Sequence, residues 1–125
     1  MFHKLALMFA AGGCGALSRY ALAGVVQRAT GPDFPWGTAV VNVAGCFLAG
    51  FLWSIFEGRF TIGGETRAVV LVGFLGAFTT FSTFMLETGQ LLRDAEYLQA
   101  FGNMAFQNGA GIVALFAGLI TGRLI

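Results

Sequence analysis

Charge is what this sequence lacks most. Only 10% of its 125 residues are Asp, Glu, Lys or Arg, where soluble domains carry roughly 25%. With 57% apolar residues and a mean hydropathy of +0.78, a soluble protein this small could not cover its own surface. The chain is therefore read as an all-α integral membrane protein. Its formal net charge is only +1 and it has no basic block, which argues against nucleic acid as a partner. The single histidine, His3, is terminal and is assigned nothing. The two cysteines, Cys14 and Cys46, lie in apolar stretches without metal-ligand spacing and are read as small buried hydrophobes. A Gly-rich phosphate loop, a nucleophile–base set and a cofactor motif are all missing, so catalysis is not expected. The first apolar segment also lacks a small-residue cleavage site. It carries Arg19 and a glycine cluster, as a retained structural helix would.

What the chain does have is four apolar runs, near 4–27, 37–57, 67–92 and 98–122. Each is long enough to cross a hydrocarbon core about 30 Å thick. Short turn-like connections join them, such as Thr30-Gly31-Pro32-Asp33-Phe34-Pro35. The expectation is a single domain, 1–125, without linkers. Its 19 glycines are about twice the usual share. Gly12, Gly13, Gly15, Gly45, Gly50, Gly109, Gly111 and Gly118 are expected to let helix backbones approach closely.

Lys4, Arg59, Arg67 and Arg123 fall on one side of such a bundle, and Arg19, Arg28 and Arg93 on the other. Four against three is almost no positive-inside bias, so dual topology and an antiparallel homodimer are expected. Four helices cannot enclose a wide polar lumen, so a permeation path would be shared between subunits.

Residues Gly73 to Phe84 combine two glycines, four hydroxyls and four phenylalanines inside the third run. Glycine and a Thr-Thr pair weaken the helix at one point, so the third helix should break near its middle. Irregular backbone at that depth requires protein or an aqueous cavity around it, and such breaks commonly form ion sites. Phe78, Phe81 and Phe84 recur at i+3 and are expected on one broad face. Packing or lipid contact would explain them, yet aromatic ring edges are electropositive. Together with Thr79, Thr80, Ser82 and Thr83 they could hold a small hard anion.

Other polar groups lie within the runs, where each needs a partner. Asn42 lies in the second. Asn103, Gln107 and Gly111 recur at i, i+4 and i+8 and share a helical face, a track of amide donors suited to an anion losing water. Interhelical hydrogen bonding explains these amides equally well. Glu87 is the one carboxylate well inside a span; it fits a proton-coupled role or a structural hydrogen bond. Arg19 could snorkel or draw anions into a vestibule.

Three motifs carry a resemblance: Gly12 to Tyr20, Gly37-Thr38 with Val41-Asn42 and Gly45, and Gly73 to Phe84 with its Thr-Thr-Phe-Ser-Thr-Phe run. Along its whole length the sequence resembles the Fluc fluoride channels, also called CrcB proteins. The resemblance implies a dual-topology antiparallel homodimer with two fluoride pores and a central structural sodium ion. It implies passive fluoride export by electrodiffusion across the inner membrane of a prokaryote. Phe81 and Phe84 look like the pore phenylalanines, Asn42 the pore asparagine, and Arg19 the vestibule arginine. Gly76 and Thr79 look like the pair whose backbone carbonyls bind sodium. Asn103 and Gln107 occupy the family's polar track, and Ser82 or Thr83 would assist the ion. Gly111 departs from the pattern, since it brings no side-chain donor to its step of that track. A small multidrug-resistance transporter is the alternative, but it requires an acid in the first helix, where this chain has none. A non-transporting assembly subunit is a third reading. Neither accounts for the Thr-Thr-Phe-Ser-Thr-Phe run.

Overall fold

The computed structural model describes residues 1–58 and 61–125, so the charge assigned to Arg59 lies outside the described residues. Every regular element among them is helical: α1 (Phe2–Thr30), α2 (Trp36–Gly58), α3 (Gly64–Ala68), a π-helical stretch Val69–Leu75, α4 (Gly76–Phe78), α5 (Phe81–Arg93) and α6 (Tyr97–Leu124). Four helical lengths are long and apolar enough to cross a membrane: Phe2–Thr30, Trp36–Gly58, Gly64–Arg93 and Tyr97–Leu124. They contain the four runs read from hydropathy, and the third is interrupted at Thr79 and Thr80.

Local chemistry sets the ends. Gly31 stops α1 at φ 88°, a conformation that glycine adopts without steric cost. The Gln27 side chain then braces the connection. Its Nε2 donates to the carbonyls of Gly31 (2.6 Å) and Phe34 (2.9 Å), and its Oε1 accepts from the Gly37 N–H (2.9 Å). At the far end of α2, the Arg67 guanidinium donates to the Phe56 carbonyl, pairing one of the orphan acceptors of a helix C-terminus.

Packing depends on close approach. A methyl at Gly50 would overlap the Leu115 carbonyl and one at Gly118 the Phe47 carbonyl, so α2 and α6 meet backbone to backbone. In the same way α1 lies against the third span, where Gly15 faces the Phe74 carbonyl. Without a hydrophobic drive between helices in lipid, such van der Waals contact is what holds a bundle together. Gly13 and Gly109 differ from expectation, because nothing lies within 4 Å of a β-carbon built at either. The buried apolar core is small and centres on Val41, Leu75 and Phe78. Large side chains such as Phe9, Leu17, Val72, Val113 and Phe116 point outward, as a lipid-facing surface requires.

The glycine contacts yield a stability prediction. Gly118→Ala should destabilise the protein by about 1–3 kcal/mol, the usual cost of overpacking, and lower its thermal midpoint in detergent. Gly109→Ala has open space and better helix propensity, so its midpoint should not fall. Equal midpoints in the two variants would refute the close-approach account.

Candidate functional site: the break in the third span

The π-helical stretch widens the third span just before its break. Thr79 then turns extended (φ −83°, ψ 157°), as does Thr80 (φ −148°, ψ 111°). Two threonine hydroxyls close the cut ends. Thr79 N–H and Oγ1 both donate to the Leu75 carbonyl, each at 3.0 Å. Thr80 Oγ1 accepts from the Thr83 N–H at 3.2 Å, an N-cap that starts α5. Thr80 also donates to Thr83 Oγ1 at 3.0 Å, and its oxygen lies 3.4 Å from Ser82 Oγ.

Thr80 is buried, and its peptide groups must still find partners. Asn42 supplies both. Its Oδ1 accepts from the Thr80 N–H at 2.8 Å, and its Nδ2 donates to the Thr80 carbonyl at 3.0 Å. The side-chain amide thus pairs with the backbone as a neighbouring strand would. In an unbroken helix the Gly76 carbonyl would bond the Thr80 N–H and the Thr79 carbonyl would bond the Thr83 N–H. Here those donors go to Asn42 and to Thr80 Oγ1. The carbonyls of Gly76 and Thr79 therefore lose their helical partners, which suits them to a hard cation.

From Asn42 a line of hydrogen bonds crosses three helices. Asn42 Nδ2 donates to Gln107 Oε1 (2.7 Å), Gln107 Nε2 to Asn103 Oδ1 (2.9 Å), and Asn103 Nδ2 to Thr88 Oγ1 (3.0 Å). Thr88 donates in turn to the Phe84 carbonyl at 2.7 Å. The shared face of Asn103 and Gln107 is thus turned inward, with Asn103 wholly buried. Gly111 continues that face, and a β-carbon there would stand 3.3 Å from Cys46 Sγ. A thiol occupies the step that has no donor of its own. Asn108 is exposed and, among the described residues, bonds only the Met104 carbonyl of its own helix.

The phenylalanines do not share a face. Phe78 and Phe84 are each 5% exposed, but Phe81 is 73% exposed. Two extended residues between Phe78 and Phe81 rotate the second half of the span, so the i+3 spacing no longer maps onto one helix surface. Phe78 stacks on Phe74 at 5.9 Å between centroids, while Phe81 and Phe84 meet edge to face at 5.8 Å and 67°.

Two clefts flank the break, and Thr80 lines both. One, of about 410 Å³, gathers Arg19, Thr38, Thr80, Thr83 and Glu87. The other, of about 360 Å³, is lined by Asn42, Cys46, Gly76, Thr79 and Phe81 among others. Glu87 Oε1 accepts from the Thr38 hydroxyl at 2.8 Å. Ser82 is exposed beside Phe81. Thr88 and Gln27 were not singled out from the sequence, and Thr38 entered only as part of a motif, with no role assigned. Their signal is a polar side chain in or beside an apolar span, and each has a partner 10 or more residues away: Asn103 for Thr88, Glu87 for Thr38 and Gly37 for Gln27.

Asn42→Ala should leave both Thr80 backbone groups unpaired, at about 1–3 kcal/mol for each. The expected result is a lower unfolding midpoint and faster hydrogen exchange at Thr80. Asn42→Asp keeps the acceptor for the Thr80 N–H and should retain more of that protection than alanine. Protection at Thr80 unchanged in the alanine variant would show that the break does not depend on this pairing.

Residues 6–119 match the family model described as CrcB-like protein, Camphor Resistance (CrcB). The chain is 54% identical over 125 residues to the fluoride-specific ion channel FluC of Desulforapulum autotrophicum, covering 100% of both chains. It is equally similar, at 54% over the full length of both, to the FluC of Solidesulfovibrio magneticus, and 52% identical to that of Nitrosococcus oceani, again over the full length of both. A match along nearly all of its length, with four spans and a broken third one, makes this chain a multi-pass membrane protein of the CrcB family.

Proposed function

We propose that this chain is the subunit of a fluoride-selective passive channel that exports cytoplasmic fluoride across a prokaryotic inner membrane. Its relatives carry the name of fluoride-specific ion channels. The observation that carries the reading here is the break at Thr79 and Thr80, which sets Phe81 edge to face with Phe84 and on the wall of a cleft that Thr79 and Thr80 also line.

A fluoride ion must exchange its hydration shell for protein groups without being held too tightly to leave. Arg19 draws the anion into the cleft it shares with Thr80 and Thr83. The hydroxyls of Thr83 and Ser82 and the spare N–H of Gln107, which lines a cleft with Cys46 and Gly111, replace water, while the wholly buried Asn103 holds Gln107 from behind. The ring edges of Phe81 and Phe84 carry the ion past the break, weakly enough for onward movement. Asn42 has both amide protons committed, to the Thr80 carbonyl and to Gln107, so it serves the path chiefly by holding the break. The exposed Phe81 and the cleft of Asn42, Thr79 and Phe81 then face a second, antiparallel copy, consistent with the balanced charges, and the dimer carries two pores.

The freed carbonyls of Gly76 and Thr79 fit a sodium ion. Two copies would bring four such oxygens together, and the bound cation would neutralise them and fasten the subunits. No residue in this scheme couples fluoride to protons, and the acid-dependent multidrug alternative has no acid in α1 to use.

Purified protein in liposomes should release fluoride rapidly once valinomycin clears the potassium potential, with negligible chloride release. Phe81→Ile and Phe84→Ile should bring fluoride release close to that of empty liposomes while the protein remains dimeric. Undiminished release in both variants would remove the ring-edge mechanism. Absence of fluoride release from intact parent protein would remove the channel reading itself.

A further inference from the structure

Thr88 lies inside α5, 4% exposed, and belongs to neither of the clefts beside the break. Its hydroxyl proton goes to the Phe84 carbonyl at 2.7 Å. A carbonyl can only accept, so this bond uses the single proton that the hydroxyl owns. What Thr88 offers Asn103 is therefore an acceptor, and Asn103 must turn its Nδ2 toward it, at 3.0 Å. The rest follows in sequence. Asn103 Oδ1 faces Gln107 Nε2 at 2.9 Å, and Gln107 Oε1 faces Asn42 Nδ2 at 2.7 Å. At the far end the Thr80 N–H, which can only donate, holds Asn42 Oδ1 at 2.8 Å. Both ends of the line are thus pinned by backbone groups of the third span, and the three amides between them have one consistent direction.

We infer that Thr88 is a positioning residue that, together with the Thr80 N–H at the opposite end, holds the direction of the amide track. The inference rests on the channel reading for its consequence. In the pinned arrangement Asn103 and Gln107 each keep one N–H outside the line of bonds. Reversing either amide exchanges that spare N–H with an oxygen. At Gln107, which lines a cleft with Cys46 and Gly111, a passing anion would then meet an acceptor where the pinned track offers a donor. Valine at position 88 has nearly the same shape but supplies neither bond, so it releases the Asn103 end of the line.

The test compares Thr88→Val and Thr88→Ser in the full-length protein. Side-chain amide NMR signals of Asn- and Gln-labelled protein are recorded alongside fluoride and chloride efflux. Valine should move the signals of Asn103, Gln107 and Asn42, the last across three helices. It should also slow fluoride efflux about tenfold, the effect of one buried hydrogen bond. Serine should restore both the signals and the efflux. A purely local packing role would move Asn103 alone, and serine would not rescue it. Shifts confined to Asn103, or a serine variant that behaves like valine, overturn the inference. If the valine variant does not fold, parent protein decides: contacts from the Asn103 amide protons to the Thr88 methyl support the pinned direction, and their absence overturns it. Parent protein that passes no fluoride defeats the channel reading, while the amide signals still judge the orientation.

Discussion

The fold depends on one side chain pairing with both polar groups of a backbone residue. Within a bilayer an unpaired N–H or carbonyl costs several kcal/mol, so a helix cannot simply stop partway across. Asn42 makes the interruption at Thr80 tolerable by accepting from its N–H and donating to its carbonyl. The consequences spread from there. Thr80 becomes the cap of α5, Gly76 and Thr79 lose their helical donors, and Phe81 swings outward while Phe84 stays inside. The pairing also explains Gly45, one turn after Asn42 in α2. A methyl there would collide with the methyl of Thr79, so the glycine admits the break to the distance that the amide needs.

Around that centre the helices are held by two backbone-to-backbone seams. The seam between α2 and α6 brings Asn42 to Gln107, and the seam between α1 and the third span supports the segment leading to the break. Dispersion at contact is short-ranged, so these seams need small residues at particular points rather than a uniformly small surface. Gly15, Gly50 and Gly118 fill that role within one chain, while Gly13 and Gly109 face open space. The seams matter for function because hydrogen bonds between amides tolerate little variation in distance. A bundle held apart by one extra methyl could not close the line from Asn42 to Thr88.

Charge is rationed, and most polar character at depth is neutral. Amides and hydroxyls can solvate an anion without the desolvation penalty that a buried ion would carry. Two side chains of opposite formal charge near the break, Arg19 and Glu87, line the same cleft. In the proposed channel they would shape the field at the mouth of the path rather than within the run of phenylalanines. The proposed site of ring edges and neutral donors would suit a conducting path, since tight binding by fixed charge would slow release.

The sequence by itself determined the membrane class, the four spans and the place of the break, because these follow from local properties. Hydropathy summed over about 20 residues decides insertion, and the glycines and paired threonines between Gly73 and Phe84 weaken the helix where they stand. The inward face of Asn103 and Gln107 was also legible, as a matter of helical period. Only the tertiary structure decided what each polar group bonds. Asn42 and Thr80 are 38 residues apart, and Thr88 and Asn103 are 15 apart; nothing local marks them as partners. It also decided that Phe81 turns outward while Phe78 and Phe84 are buried, and that Cys46 lies against Gly111. Such pairings depend on the rotation and separation of whole helices, which are set jointly by every contact along their length, and no window of neighbouring residues contains that information.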